Sequence, residues 1–280
     1  MPFTPSHAVV ALPFVRTPLV PAAIAIGAMT PDLPLFLRGF GVSYWFTHAY
    51  ANIAWTAVIA LGLFLLWRVA LRPAVPELSP QWLARRIPAD WRTPAGAALK
   101  EALGIGRRWS SALWLAASLL LGVISHILWD AFTHEYRLGI LLFPGLADQW
   151  GPLHGYKWLQ HGSSAVGLLV IGVWAALRLR NARPRPAEAR TTRPWVRVLW
   201  WLSLPVFLIA AWIIGYLVYG PITAEFTVQH LAYSVLPFTC GIWAVLTLVL
   251  CVVIAIAIAV SRNPTSAGER GRTPAVPTPQ

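Results

Sequence analysis

The sequence predicts an all-α polytopic membrane bundle: about five spanning helices, preceded by a broken re-entrant or interfacial N-terminal helical pair. Three observations predict it. The 280 residues are 57% hydrophobic and only 11% charged, and their mean hydropathy of +0.61 lies far from that of an average soluble domain. The apolar residues gather in stretches of the length that crosses a bilayer, roughly 20 residues as a helix. The basic residues collect in alternate links between those stretches, as topology requires of a multi-pass chain.

In chain order, residues 1–50 come first. They are apolar, but Pro13, Pro18 and Pro21 divide their first thirty residues into pieces of about ten, too short to span alone. No Lys or Arg precedes Arg16 and no uninterrupted apolar core follows, so a cleavable signal peptide is not expected. The predicted spans are Asn52–Leu71, Ser111–Phe132, Ser163–Leu179, Val196–Tyr219 and Ser234–Val260. Helices are chosen because a single segment in hydrocarbon must satisfy its own backbone hydrogen bonds. The link 72–110 is rich in proline, with a short amphipathic helix expected near Pro94–Leu103. The run Asn181–Pro194 mixes Arg, Pro, Ala and Thr without apolar periodicity and reads as flexible, as does the tail 262–280. Residues 1–261 thus form one integral membrane domain, with 72–110 and 180–196 as cytoplasmic loops and 262–280 as a disordered tail.

Charge orients the bundle. Seven basic residues against three acidic ones lie between Arg72 and Arg108, and seven Arg against Glu188 alone lie between Arg178 and Arg197. The segments His134–Gly162 and Gly220–Tyr233 lack any such excess. By the positive-inside rule the basic links and the C-terminus are cytoplasmic, and Ala51, His134, Gly162, Tyr219 and Ser234 lie near the outer face. The net charge of +12 is therefore a topology signal with accompanying attraction to membrane lipid, and nucleic acid is not an expected partner. Cys240 and Cys251 both lie in the last span, too far apart on one helix to form a disulfide, so a thiolate metal site is not expected either.

Six of the seven histidines fall in the first 161 residues: His7, His48, His126, His134, His154 and His161. The run Ser125-His126-Ile127-Leu128-Trp129-Asp130-Ala131-Phe132-Thr133-His134 carries the strongest signal. At about 3.6 residues per turn, His126, Asp130 and His134 form one stripe of two imidazoles and a carboxylate. A carboxylate in hydrocarbon needs a partner, since an unpaired Asp costs about 2.5–3.5 kcal/mol there. His7 follows Thr4-Pro5-Ser6, a plausible helix start. Asp32 follows Pro31 and is placed to cap the segment after it, and His48 precedes the first span. Ligands of these types from separate segments suit a divalent metal, zinc or alternatively manganese, with a position open to water. Each residue also has an ordinary reading, Asp32 as a cap, and His48, His154 and His161 as interfacial polar groups. Their joint placement on one side of a topology drawn from Arg counts favours a site. Arg137 and Lys157 in the outer loop are available to a substrate phosphate or to solvent.

Met1-Pro2-Phe3-Thr4-Pro5-Ser6-His7, Gly27-Ala28-Met29-Thr30-Pro31-Asp32, Thr47-His48, the Ser125–His134 run and Leu159-Gln160-His161-Gly162-Ser163-Ser164 together resemble the bacterial membrane-protein family catalogued as domain of unknown function 4184. That resemblance covers the chain up to its tail and implies the bacterial cytoplasmic (inner) membrane. The order of the motifs is also remotely similar to membrane-bound metal-dependent hydrolases and to zinc-dependent phospholipase C. The latter resemblance implies metal-ligand roles for His7, Asp32, His48, His126, Asp130 and His134. His154 is followed four residues later by Trp158, so a second His-x-x-x-Asp or His-x-x-x-Glu pair is missing and one or two metals are implied rather than three.

The sequence therefore points to a membrane-embedded metal-dependent hydrolase acting on a phosphoester or lipid-linked substrate near the outer face. Its metal ligands are drawn from those six residues, with His154 and His161 as additional candidates and Asp130 or Asp32 as the catalytic base. Two other readings stay open at this stage. One is a transporter or membrane scaffold with a polar intramembrane stripe. The other is a bis-histidine haem protein using His126 with His48 or His161.

Overall fold

The computed structural model describes residues 3–37, 41–106 and 108–261; the tail 262–280 lies outside them. Among the described residues, five helices are long and apolar enough to cross a membrane: Tyr50–Leu78, Ser110–Thr133, Gly155–Asn181, Pro194–Tyr219 and Val228–Ser261. Each contains one predicted stretch, and the chain is a multi-pass membrane protein of almost wholly helical structure. For reference, α1 is Pro21–Met29, α2 Tyr44–His48, α3 Ile53–Leu66, α4 Arg72–Leu78, α5 Ala95–Ala102, α6 Ser110–Thr133, α7 Gly155–Asn181, α8 Pro194–Tyr219 and α9 Val228–Ser261.

Of the three prolines expected to divide this segment, Pro18 and Pro21 mark the break, while Pro13 lies inside a continuous 3-10 helix. Residues Thr4–Phe14 form a 3-10 helix with a proline at its start, where a missing N–H costs nothing, and α1 likewise begins on Pro21. The 3-10 helix lies along α7, and α1 returns along α6 in the most extensive pairing of the bundle. Glycine permits this approach. A Cβ on Gly27 would stand 2.5 Å from the Leu119 carbonyl oxygen, and one on Gly122 would stand 2.7 Å from the Ala28 nitrogen, so the two backbones meet where neither carries a side chain. Around this crossing Ala23, Ala57, Ala60, Phe64, Leu119, Val123 and Ile127 form the buried core.

Two features differ from the sequence reading. The first span continues past Leu71 to Leu78 through a π turn at Trp67–Leu71. The wider turn relaxes the hydrogen-bond register just before Pro73, whose ring would clash with a regular α ladder. Hydropathy could not show this, because Arg72 and Glu77 break the apolar run although both are buried. The second feature is the link 182–193, which was expected to be flexible but is fastened down. The buried carboxylate of Glu77 accepts from the backbone N–H groups of Thr191 at 2.8 Å and Thr192 at 3.1 Å, and Arg190 donates to the Ser79 carbonyl at 2.8 Å. These partners are more than 100 positions apart, beyond the reach of local composition. The amphipathic helix expected near Pro94–Leu103 is α5.

Helices α8 and α9 pack as a neighbouring pair, and α9 also covers α4 through Cys251, Ile254 and Ile258 against Ala74 and Leu78. Both cysteines are free. Most of α8 is exposed, with Leu217 at 75%, as befits a surface solvated by lipid tails.

Candidate metal centre

The ends of three segments meet where α6 finishes. Asp32 ends a 3-10 turn that follows α1, His48 ends α2, and His126 and Asp130 occupy the last two turns of α6. Each of these four residues offers one ligand atom, and the atoms all lie within 4.8 Å of one another. Their relative exposures are 1%, 2%, 0% and 2%, so none is a solvated surface group. His48 Nε2 lies 3.2 Å from His126 Nε2. Asp130 Oδ2 is 3.5 Å from each of those nitrogens, and Asp32 Oδ1 is 3.7 Å from His126 Nε2 and 3.9 Å from His48 Nε2.

Tautomers follow from the second ring nitrogens. His126 Nδ1 sits 2.7 Å from the Ala28 carbonyl and His48 Nδ1 2.9 Å from that of Tyr44. A carbonyl only accepts, so both Nδ1 atoms carry hydrogen and, in the neutral rings, both Nε2 lone pairs point inward. Two lone pairs and two carboxylates thus face one another. Asp32 Oδ1 and Asp130 Oδ1 are buried without a hydrogen-bond partner. Buried acceptors in such an arrangement can be satisfied by a cation among them. The spacing suits one, because metal–ligand bonds of about 2.0–2.1 Å in a tetrahedron set ligand atoms about 3.3–3.4 Å apart. The residues present therefore fit a divalent ion bound by two imidazoles and two carboxylates, with no thiolate in the set.

His7 and His134 flank this group. His7 Nε2 is buried and unpartnered, 3.8 Å from Asp130 Oδ1, and its ring stacks on His126 with centroids 4.1 Å apart. His134 does not continue the α6 stripe, because the helix ends at Thr133 and His134 is extended, with φ −126° and ψ 137°. Its ring turns back so that Nδ1 lies 3.3 Å from the Asp130 carbonyl and 3.5 Å from Oδ2. Lys157 donates to Gln160 Oε1 at 3.0 Å, which leaves the Gln160 amide N–H to donate to His134 Nε2 at 3.4 Å. Burial holds the His134 pKa down, to about 4, consistent with a neutral ring that accepts at Nε2 and supports Asp130 from outside.

Three further expectations are corrected. Asp32 makes no capping hydrogen bond; its Oδ2 instead accepts from the Thr4 hydroxyl at 2.7 Å. His154 lies away from the group in the hairpin of β1 (Gln149–Trp150) and β2 (Leu153–His154), with Nδ1 on the Ala147 carbonyl. His161 is exposed, since one residue along α7 is a turn of about 100° from Gln160, the side chain that faces the centre. Of the two cations in the outer loop, Lys157 is engaged by Gln160 and Arg137 lies over the Trp45 ring at 5.2 Å.

Sequence reasoning passed over Thr4, Tyr44, Thr47 and Gln160. Tyr44 stacks on His48 at 3.7 Å between centroids and directs its hydroxyl at Asp130 Oδ2 from 3.5 Å. Burial pushes its phenol pKa up, which keeps the proton on. Thr47 donates to the Pro31 carbonyl at 2.7 Å, tying α2 to the turn that carries Asp32. Gln160 is fully buried; an uncharged amide near the start of a spanning helix was the available signal. A porphyrin has no room between His48 and His126, whose ring nitrogens are 3.2 Å apart, which removes bis-histidine haem on that pair.

Outer partners that orient ligands are worth about 10–100-fold in metal affinity. Thr4→Ala and His134→Ala are each expected to weaken zinc binding by that factor while leaving one binding site, measured by competition with a chromogenic chelator. Complete loss in His134→Ala would instead make His134 a ligand.

Fold and site together define a multi-pass membrane protein with a buried two-histidine, two-aspartate group suited to a divalent cation. The chain belongs to the family described as domain of unknown function (DUF4184), whose family model matches residues 1–261. No curated protein and no solved structure matches it.

Proposed function

We propose that this protein is a metal-dependent hydrolase of the bacterial inner membrane, with its centre near the outer face and its C-terminus in the cytoplasm, acting on a phosphoester of a lipid-linked substrate. The observation that carries the reading is the inward-facing acceptor set: the His48 and His126 Nε2 lone pairs, Asp130 Oδ2 at 3.5 Å from each, and Asp32 Oδ1 at 3.7 and 3.9 Å, the last buried without a donor. Such a set is costly as a purely structural feature and suits the holding of an ion. Zinc is the favoured ion, with manganese as the alternative.

A divalent ion there would lower the pKa of a nearby water and neutralise charge on a substrate oxygen. His48, His126, Asp32 Oδ1 and Asp130 Oδ2 would hold it. Asp130 Oδ1, facing His7 from 3.8 Å, is the base candidate. In hydrolysis a water oxygen bonds to phosphorus and the bond to the alcohol breaks. The proton shed by the water passes to Asp130 Oδ1 and on to the departing alkoxide, with His7 positioned to steady the carboxyl. A groove of about 380 Å³ supports a lipid-linked substrate. It runs between the 3-10 helix, α6 and α7, is walled by Val9, Val10, Trp129, Val166 and Gly167, and has His7 in its lining. Trp129 and Val166 are 41% and 60% exposed, so the groove opens sideways from the bundle.

The test is hydrolysis of bis(4-nitrophenyl) phosphate and of a diacyl phospholipid by the detergent-purified protein, before and after chelation. Activity that vanishes with chelator and returns with zinc or manganese is expected. Metal-loaded protein that turns over neither probe would end the hydrolase reading and leave the metal centre to a transporter or scaffold.

A further inference from the structure

At the opposite end of the bundle, a pocket of about 760 Å³ lies between the loop after the 3-10 helix, the link following α4, and the end of α7. Its walls include Val75, Leu83, Ile87, Trp91, Trp174 and Leu177, and Arg16, Arg86 and Arg178 also line it. No carboxylate lines it. The acidic residues of the two basic links are all taken by other arginines: Glu101 by Arg68, Asp90 by Arg72, and Glu77 and Glu188 by Arg92. Among the described residues Arg16, Arg86 and Arg178 make no ion pair. Arg86 donates to the Trp82 carbonyl at 2.8 Å, and Arg178 rests over the Trp174 ring at 5.7 Å. Each of these contacts leaves most of the five guanidinium donors available.

Three cations from three separate segments, matched with a tryptophan-lined apolar wall at the end of spanning helices, call for a ligand with an anionic head and a hydrocarbon tail. We infer that this pocket binds one anionic phospholipid of the leaflet that the basic links face, its phosphate among Arg16, Arg86 and Arg178 and an acyl chain along the Trp91 and Trp174 wall. A free phosphate or nucleotide would leave that wall unfilled, and a zwitterionic lipid would bring an ammonium group toward three guanidinium ions. The site is separate from the metal centre and does not depend on it.

Native mass spectrometry of the full-length, detergent-purified chain tests this with dioleoyl phosphatidylglycerol and dioleoyl phosphatidylcholine as probes. One phosphatidylglycerol should be retained, at least about fivefold more strongly than phosphatidylcholine. Arg86→Ala and Arg178→Ala should each weaken retention about fivefold, the equivalent of about 1 kcal/mol per basic residue at an anionic surface. Arg180→Ala, on the same helix but outside the lining, should leave it unchanged. Equal retention of the two lipids by the wild-type protein would overturn the inference without recourse to any variant. A loss in Arg180→Ala matching that in Arg178→Ala would reduce it to diffuse attraction, and displacement of the lipid by millimolar inorganic phosphate would assign the site to a free anion.

Discussion

Replacing Asp130 by Asn is expected to lower affinity for zinc at least about 100-fold while leaving the bundle folded. The carboxylate is central to the group: Oδ2 lies 3.5 Å from both His48 Nε2 and His126 Nε2, and Oδ1 faces His7. Asn keeps the volume and still accepts from Tyr44, but it removes the charge that balances the ion. Loss of a direct ligand should exceed the 10–100-fold typical of an outer partner. His126→Ala should do the same, and also abandons the Ala28 carbonyl that His126 now satisfies. The measurement is metal content together with zinc affinity of the purified variants, with thermal unfolding in the same detergent as the control for folding. A folded Asp130→Asn protein with wild-type affinity would remove Asp130 from the centre.

Gly122→Val is expected to destabilise the protein by about 3 kcal/mol, the upper part of the range for overpacking a tight contact, and to damage the metal site as well. A side chain at 122 collides with the backbone of α1 at Ile24, Gly27 and Ala28. Ala28 supplies the carbonyl that fixes the His126 tautomer, and α1 leads directly into the turn carrying Asp32. Pushing α1 away from α6 therefore separates two ligands that come from different segments. The expected result is a lower unfolding temperature with weaker zinc binding in whatever protein remains folded. Gly62→Val is the control, because nothing lies within 4 Å of a Cβ at that position. Equal stability of Gly122→Val and wild type would show that α1 and α6 do not meet there.

The spans were legible because hydrocarbon imposes a length and a composition that no local exception can evade. The N-terminal break was legible because Pro18 and Pro21 punctuate an apolar run, whereas Pro13 is absorbed into the 3-10 helix Thr4–Phe14. His126 and Asp130 could be paired from one helical turn of separation alone. Joining Asp32 and His48 to them rested on residue type and on a topology drawn from Arg counts, and the structure does bring these four together. Other features depended on contacts that sequence spacing does not encode. His134 lies beyond the end of α6 at Thr133, yet its ring still reaches Asp130 Oδ2 at 3.5 Å, so the expected neighbour is kept from an extended backbone that helical spacing does not foresee. Thr4, Tyr44 and Gln160 are ordinary residues locally, and only their distances to Asp32, Asp130 and His134 give them a role. Glu77 looked like loop charge because its partners, Thr191 and Thr192, lie more than 100 positions away.

The proposed hydrolase depends on whether the group formed by Asp32, His48, His126 and Asp130 holds a metal. Elemental analysis of the detergent-purified wild-type protein, followed by X-ray absorption at the edge of the metal found, measures this directly. The expected result is at least one divalent ion per chain, ligated only by nitrogen and oxygen at about 2.0–2.2 Å, with imidazole scattering from two histidines. A purified protein that contains no divalent metal and takes up none when titrated with zinc or manganese would contradict the account.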